Sequence, residues 1–182
     1  MQLTRERITE AALAILAEYG LADVSMRRVA TSLSVAPGAL YWHIANKQEL
    51  IASIAEEIVQ ELFDGPLPDP ARLSRELREA LLSTRDGAEV VVAAVSQPGS
   101  QVQKELETRF AASVKAWLGE AASISNVRIA ARGLLRLTLG DAAVQQSAAQ
   151  LAQATGADEE SDGAGEHAAA VAFLLDGLKR SV

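Results

Sequence analysis

The chain has no cysteine, only two histidines and five prolines, and aromatic residues make up 4% of its 182 positions. Without cysteine there is no disulfide framework and no thiolate metal site, which suits a reducing cytoplasm. The two histidines, His43 and His167, are far apart in sequence and cannot supply a three-ligand zinc set. No run of about 18 apolar residues occurs, so no membrane-spanning segment is expected. The first residues are charged and helix-patterned, so no secretory signal is expected either. Basic charge is also short: 17 Lys and Arg face 24 Asp and Glu, for a net charge of −7, the reverse of a generic nucleic-acid binder. A Ser-His-Asp constellation, a Walker loop and a dinucleotide glycine pattern are all missing. Gly163-Ala164-Gly165 lies in a polar stretch and follows no strand. Neither catalysis nor a cofactor is expected.

What is present is enough apolar material for a real core, 49% of residues, in a length that suits one domain or a small module plus a larger one. The acidity is unevenly spread. Residues 1–50 hold five basic groups (Arg5, Arg7, Arg27, Arg28, Lys47) and as many acidic ones, so the whole deficit falls in residues 51–182. A neutral head on an acidic body can bind DNA through a few placed contacts while avoiding indiscriminate attachment to phosphates.

Residues 24–47 carry the strongest signal. Ser25 suits the N-cap of a helix whose Val29, Ala30 and Leu33 share a face. Ser34-Val35-Ala36-Pro37-Gly38 breaks it, because Pro37 lacks an N–H and restricts Ala36. A second short helix is predicted over Gly38 to Ile44, with Leu40 and Ile44 facing inward and Tyr41, Trp42 and His43 left outside. Two short helices around a tight turn are the layout of a helix-turn-helix, whose second helix enters the DNA major groove. Lys47 then stands in the first turn of the next helix, where backbone N–H groups and the helix dipole already favour an anion. Its positive charge opposes that dipole unless a phosphate is bound.

Leu-Tyr-Trp-His-Ile-x-Asn-Lys after such a turn resembles the tetracycline-repressor (TetR) family of bacterial regulators. The resemblance begins near Thr4 and includes the turn at Glu18–Gly20. It extends to Ala80–Ala88, Thr138-Leu139-Gly140 and Phe173–Leu178, which resemble the ligand domain of the tetracycline-repressor branch. It implies that Tyr41 and Lys47 contact DNA phosphates and that Arg27 reads a guanine edge, the alternative for Arg27 being a phosphate contact or a solvated surface position. Ser25, Arg28, Pro37, Gly38, Ala39, Trp42 and His43 complete the expected DNA-facing set, although Ala36, Pro37, Gly38 and Ala39 depart from the longer polar residues of the tetracycline branch. It further implies a homodimer and a near-palindromic double-stranded operator. In the tetracycline branch the drug is held as a metal chelate by a His and a Glu. The matching positions here are Val91 and about Val144, which cannot ligate a metal, so neither a metal nor tetracycline itself is expected.

The rest of the chain reads as helices. Thr4 caps one running to about Tyr19, and Asn46 with Glu49 at capping-box spacing opens another through Leu50, Ile54, Ile58 and Leu62. Gly65-Pro66-Leu67-Pro68-Asp69-Pro70 is a breaker, and Val90–Val95 is assigned to helix because no partner strand exists. A long Ala-rich helix is predicted over 124–153, an acidic mobile loop over 154–166 and a last helix from about His167 to Arg180. The small residues Ala130, Ala131, Gly133, Gly140, Ala142 and Ala143, with Phe173, Leu174 and Leu178, suggest the dimer interface.

The fold class is therefore all-α: a three-helix DNA-reading head over 1–46 and a helical ligand and dimerisation domain over 47–182. A small, mainly apolar ligand is expected against Phe63, Leu77, Leu81, Val91, Val95, Leu106, Phe110, Ala131 and Leu135. Arg109 and Arg128, set beside apolar positions, need an anionic partner from the ligand or from the protein. A reading from another class, a helical small-molecule binder without DNA function, is disfavoured by the intact Tyr41-Trp42-His43 and Lys47 arrangement.

Overall fold

The computed structural model describes residues 2–119, 123–156 and 163–180. Among these there is no strand. The helices are α1 (Arg5–Tyr19), α2 (Met26–Ser32), α3 (Pro37–Leu40), α4 (Lys47–Val59), α5 (Pro70–Ser83), α6 (Gly87–Val95), α7 (Gln101–Leu118), α8 (Ile124–Thr155) and α9 (Gly163–Arg180), with short 3-10 turns at Leu21–Asp23 and Gln60–Phe63.

Most boundaries follow from capping chemistry. Thr4 accepts a hydrogen bond from the Arg7 N–H, Ser25 from Arg28, Asn46 from Glu49, and Asp69 from both Ala71 and Arg72, with Pro70 at the first helical position. Glu49 answers by accepting from the Ala45 N–H at 2.7 Å, a variant of the expected capping box. Val90–Val95 is helical, inside α6.

Two expectations are corrected. The second helix of the turn is regular only over Pro37–Leu40 and closes through turn residues 41–43, because the Leu40 carbonyl takes both the His43 and Ile44 N–H groups. The last helix begins at Gly163 rather than His167, so the predicted loop over 154–166 is helical at both ends. Ala154 and Thr155 close α8, and only 157–162 lie outside the described residues. Ala and Gly are tolerated there because the buried ring of His167 anchors the first turns of α9.

The core is continuous. In the head, Ile8, Leu16, Val29, Leu40 and Ile44 are inaccessible to solvent; in the body, Leu77, Leu81, Val91, Phe110 and Leu134 are. Each such side chain contributes roughly 1.5–3 kcal/mol of burial. Helix α4 packs on α1 on one side and on α6 on the other, while α8 lies against α5, α6, α7 and α9. Arg5 joins Glu49 at 2.5 Å, and Thr9 bonds Ser53 at 3.1 Å, tying α1 to α4.

Candidate DNA interface, ligand cavity and the joint between them

The head presents a face that its own packing does not explain. Leu40 and Ile44 anchor the short helix in the core, while Tyr41 is 53% exposed and Trp42 90% exposed. Ala36, Pro37, Gly38, His43 and Lys47 are exposed beside them, and Ala39 is half-buried. A β-carbon added at Gly38 would meet nothing within 4 Å, so nothing in this chain requires a glycine there. Arg27 is exposed and has no ion-pair partner among the described residues. Arg28, the next residue on the same helix, is already engaged: it pairs with Asp23 and lies over the Tyr19 ring at 3.9 Å from its centroid. Ser25 is held as the α2 cap. The face thus brings Arg27, Tyr41, Trp42, His43 and Lys47 to the surface and leaves Ser25 and Arg28 in supporting roles within the head.

In the body, the residues expected to line a ligand site are mostly core. Leu77, Leu81, Val91 and Phe110 are fully buried; Leu106 and Ala131 are 1% exposed and Leu135 3%. Phe63 and Val95 are half-buried against that core. A cavity of about 520 Å³ lies beside them, between the 3-10 turn at Gln60–Phe63, the following loop, α5 and α7. Arg109 opens onto it, and its buried Nε has no hydrogen-bond partner. Arg128 and Ala131 instead border a smaller depression of about 260 Å³ between α7 and α8. Arg128, Arg132 and Arg136 are exposed rather than set on an apolar face, since that side of α8 points to solvent; Arg132 pairs with Glu107 at 2.9 Å.

The sequestered arginine is one the sequence reading missed. Arg78 is 7% exposed, donates to Asp141 at 2.7 Å and also bonds Gln145, tying α5 to α8. Next to it the His167 ring, 3% exposed, sits 3.2 Å from the Thr138 hydroxyl. Burial holds the imidazole below its ordinary pKa; Asp141 opposes that shift and Arg78 adds to it. The i,i+4 register of Leu77 and Leu81 places Arg78 at the edge of the buried stripe, the signal that could have found it.

Also missed was the joint between head and body. Asp86 adopts a left-handed backbone (φ 55°) at the start of α6. One carboxylate oxygen accepts the Leu21 N–H at 2.6 Å; the other bonds Gln150 of α8. Arg85 reaches the Glu18 carbonyl at 2.8 Å, and Gln146 grips this turn through the Thr84 carbonyl at 2.9 Å and the Ala88 N–H at 3.0 Å. Gly20 permits this approach, and Gly87 permits the tight turn from α5 into α6 that presents Asp86. A β-carbon at Gly20 (φ 87°) would lie 2.8 Å from Asp86, and one at Gly87 only 2.5 Å from the Leu81 carbonyl oxygen.

An all-α chain that exposes Arg27, Tyr41, Trp42, His43 and Lys47 around a helix-turn-helix, ahead of a larger helical body, is of the class of helix-turn-helix transcriptional regulators. Residues 8–54 match the family described as bacterial regulatory proteins, tetR family. The chain is 37% identical to BioQ of Mycobacterium smegmatis, over 98% of this chain and 99% of that one, with a TM-score of 0.86. The protein belongs to the tetR family. A structure of BioQ with its natural double-stranded DNA operator superposes with a TM-score of 0.81 at 34% identity, covering 98% of this chain and 99% of that one. Among curated relatives, the class D tetracycline repressor protein of Escherichia coli is 32% identical over 60% of this chain; the match spans about half, 53%, of that protein. No helix among the described residues is long and apolar enough to cross a membrane.

Proposed function

We propose that the protein is a homodimeric, ligand-responsive transcriptional repressor, with residues 1–46 reading DNA and residues 47–182 holding the effector and the dimer contact. The observation that carries the reading is the outward set Tyr41, Trp42 and Lys47, exposed from the end of α3 to the start of α4, a stretch anchored in the core by Leu40 and Ile44. Aromatic rings in water cost free energy unless something covers them, and a phosphate-lined groove both covers the rings and neutralises Lys47. The BioQ–operator complex supports the same assignment by its fold and 34% identity.

A two-fold dimer would set its recognition helices about 34 Å apart, one turn of DNA, and so read a near-palindromic site. The surface that suits such a dimer is an apolar one on α8 and α9. Ile129, Val144 and Leu151 of α8 and Phe173 of α9 are between 65% and 78% exposed. Ala130, Ala131 and Ala142 are buried within the chain's own core, so of the small residues only Gly140 lies open on that surface. The effector belongs in the cavity beside Arg109, without metal, since Val91 is core and Val144 is an exposed apolar group. An occupant there would move α5 and α7, and the Asp86 joint offers the path by which α5, α6 and α8 displace the head.

The test is fluorescence anisotropy with the DNA upstream of the protein's own gene. Parent protein should bind that DNA in preference to unrelated sequence, and Lys47→Ala should weaken binding to both. Equal binding to every sequence by the parent would rule out operator reading.

A further inference from the structure

Resting on the effector reading above, we infer that the ligand of the Arg109 cavity is amphoteric: an apolar body with one anionic oxygen group for Arg109 and one protonated amine for nearby carboxylates. The cavity's volume, about 520 Å³, falls in the range that holds a small organic molecule. Leu62, Pro66, Leu67 and Pro68 give it apolar wall. Leu67 is 39% exposed, a large aliphatic group with too little protein around it.

The polar part of the lining is lopsided. Arg109 contributes a buried Nε without a hydrogen-bond partner, and no ion pair holds its guanidinium among the described residues. A buried donor of this kind is costly until an acceptor reaches it, and a carboxylate or sulfonate is the acceptor that suits a guanidinium best. The other arginine at the cavity, Arg72, is neutralised by Glu76 at 2.6 Å. Against them stand Glu79, held only loosely by Arg75 at 3.8 Å, and Glu61 and Asp64, which form no ion pair among the described residues.

A purely anionic ligand would satisfy Arg109 but face these three carboxylates. A purely cationic one would satisfy the carboxylates and leave Nε orphaned. A metal ion does not resolve the imbalance, because among the described residues no three His, Cys, Asp or Glu groups come together to hold one. Carboxylates acting singly suit an ammonium group, which needs one or two acceptors and not a full coordination shell.

Three rigid, matched probes decide it: biphenyl-4-carboxylate, biphenyl-4-methylamine and 4′-(aminomethyl)biphenyl-4-carboxylate, titrated by calorimetry into the full chain. The amphoteric probe should bind about tenfold tighter than either single-ended one, since each end gains a charge-assisted hydrogen bond. Arg109→Gln should remove its advantage over the amine, and the double change Glu61→Gln, Asp64→Asn its advantage over the acid. Arg109→Lys, which keeps the charge, should preserve the order of the three affinities and guards against a folding defect in Arg109→Gln. If the plain acid binds as well as the amphoteric probe, and Arg109→Gln weakens both, the amphoteric ligand is wrong while the effector site stands. If all three bind and ignore Arg109→Gln, or none binds up to about 1 mM, the cavity is not the effector site. An orphan Nε served only by water would give that last result.

Discussion

The head and the body of this protein place their most distinctive polar and aromatic groups differently. On the helix-turn-helix, Tyr41, Trp42 and Lys47 point outward and leave the core to aliphatic side chains. In the body, Arg78, Ser113, Thr138 and His167 point inward and are each 7% exposed or less. A group kept outward at a cost to the free protein awaits a partner, whereas a group buried with its hydrogen bonds made is already serving the fold. The contrast predicts that substitutions on the two sides separate stability from DNA binding.

The largest effect should come from the body. Asp141→Ala strands the Arg78 charge in a site that is 8% exposed at the side chain. Removing one member of a buried pair costs roughly 3–5 kcal/mol, and the quarter-exposed position of Asp141 places this case at the low end. Urea denaturation should show a lowered midpoint with an unchanged slope. Trp42→Ala is the counterpart in the head: stability should stay within about 0.5 kcal/mol, while affinity for the operator falls. Were Trp42→Ala to destabilise the chain as much as Asp141→Ala, the division would collapse.

Within the DNA-facing set, Arg27→Ala should cost about 1–3 kcal/mol at one base pair per half-site and relax the preference there. Lys47→Ala should weaken binding to all sequences alike and reduce the salt slope by about one. Anisotropy titrations against single-substituted operators at several salt concentrations separate the two. A uniform loss for Arg27→Ala would make it a phosphate contact.

The same contrast explains what could be read from the residues alone. Tyr41, Trp42 and Lys47 stood out because helical periodicity assigns Leu40 and Ile44 to the core and leaves them unexplained; the helix order and the caps Thr4, Ser25, Asn46 and Asp69 were legible for the same local reasons, while the caps Ser100 and Ser123 were not. The body was harder, because an apolar stripe reads identically whether it packs on neighbouring helices or lines a void. Leu77, Val91 and Phe110 turned out to fill space, and the cavity opened beside them among Pro66, Leu67 and Pro68, where a breaker holds the chain away from α5. Arg109 was legible as an arginine beside apolar positions that needs an anionic partner, but whether the protein supplies that partner was not. Asp86 was not, because its role depends on Leu21 and Gln150, 65 and 64 residues away in sequence.

That joint supplies a test of intermediate size. Asp86→Asn keeps the shape but leaves a single acceptor oxygen, so Leu21 and Gln150 can no longer both donate to it, a loss of about 1–2 kcal/mol. Operator affinity without effector should change little, since the DNA face is untouched. The coupling should suffer: a ligand that releases the parent from DNA should release Asp86→Asn less completely at the same occupancy. Unchanged release would mean that the signal reaches the head through another contact, such as the packing of α4 on α6.

The smallest effect concerns protons. His167 is buried against Thr138, and burial lowers its pKa from the ordinary value of 6.5, so it is held neutral in the folded protein. The unfolded chain binds a proton there more readily than the folded one as pH falls through 6.5. Stability from this group is therefore complete above that pH and declines below it. The lowered pKa of Glu49, caused first by the Ala45 N–H, acts in a separate window: its contribution is present above 4.5 and is lost as pH falls further. Melting temperatures taken between about pH 7.5 and 5.5 should thus isolate the histidine. The parent should soften gently across that interval, while His167→Gln, less stable at the upper end, should hold nearly level. A parent that stays level as well would mean that the folded state accepts the proton, and that the pocket formed by Thr138, Asp141 and Arg78 accommodates an imidazolium after all.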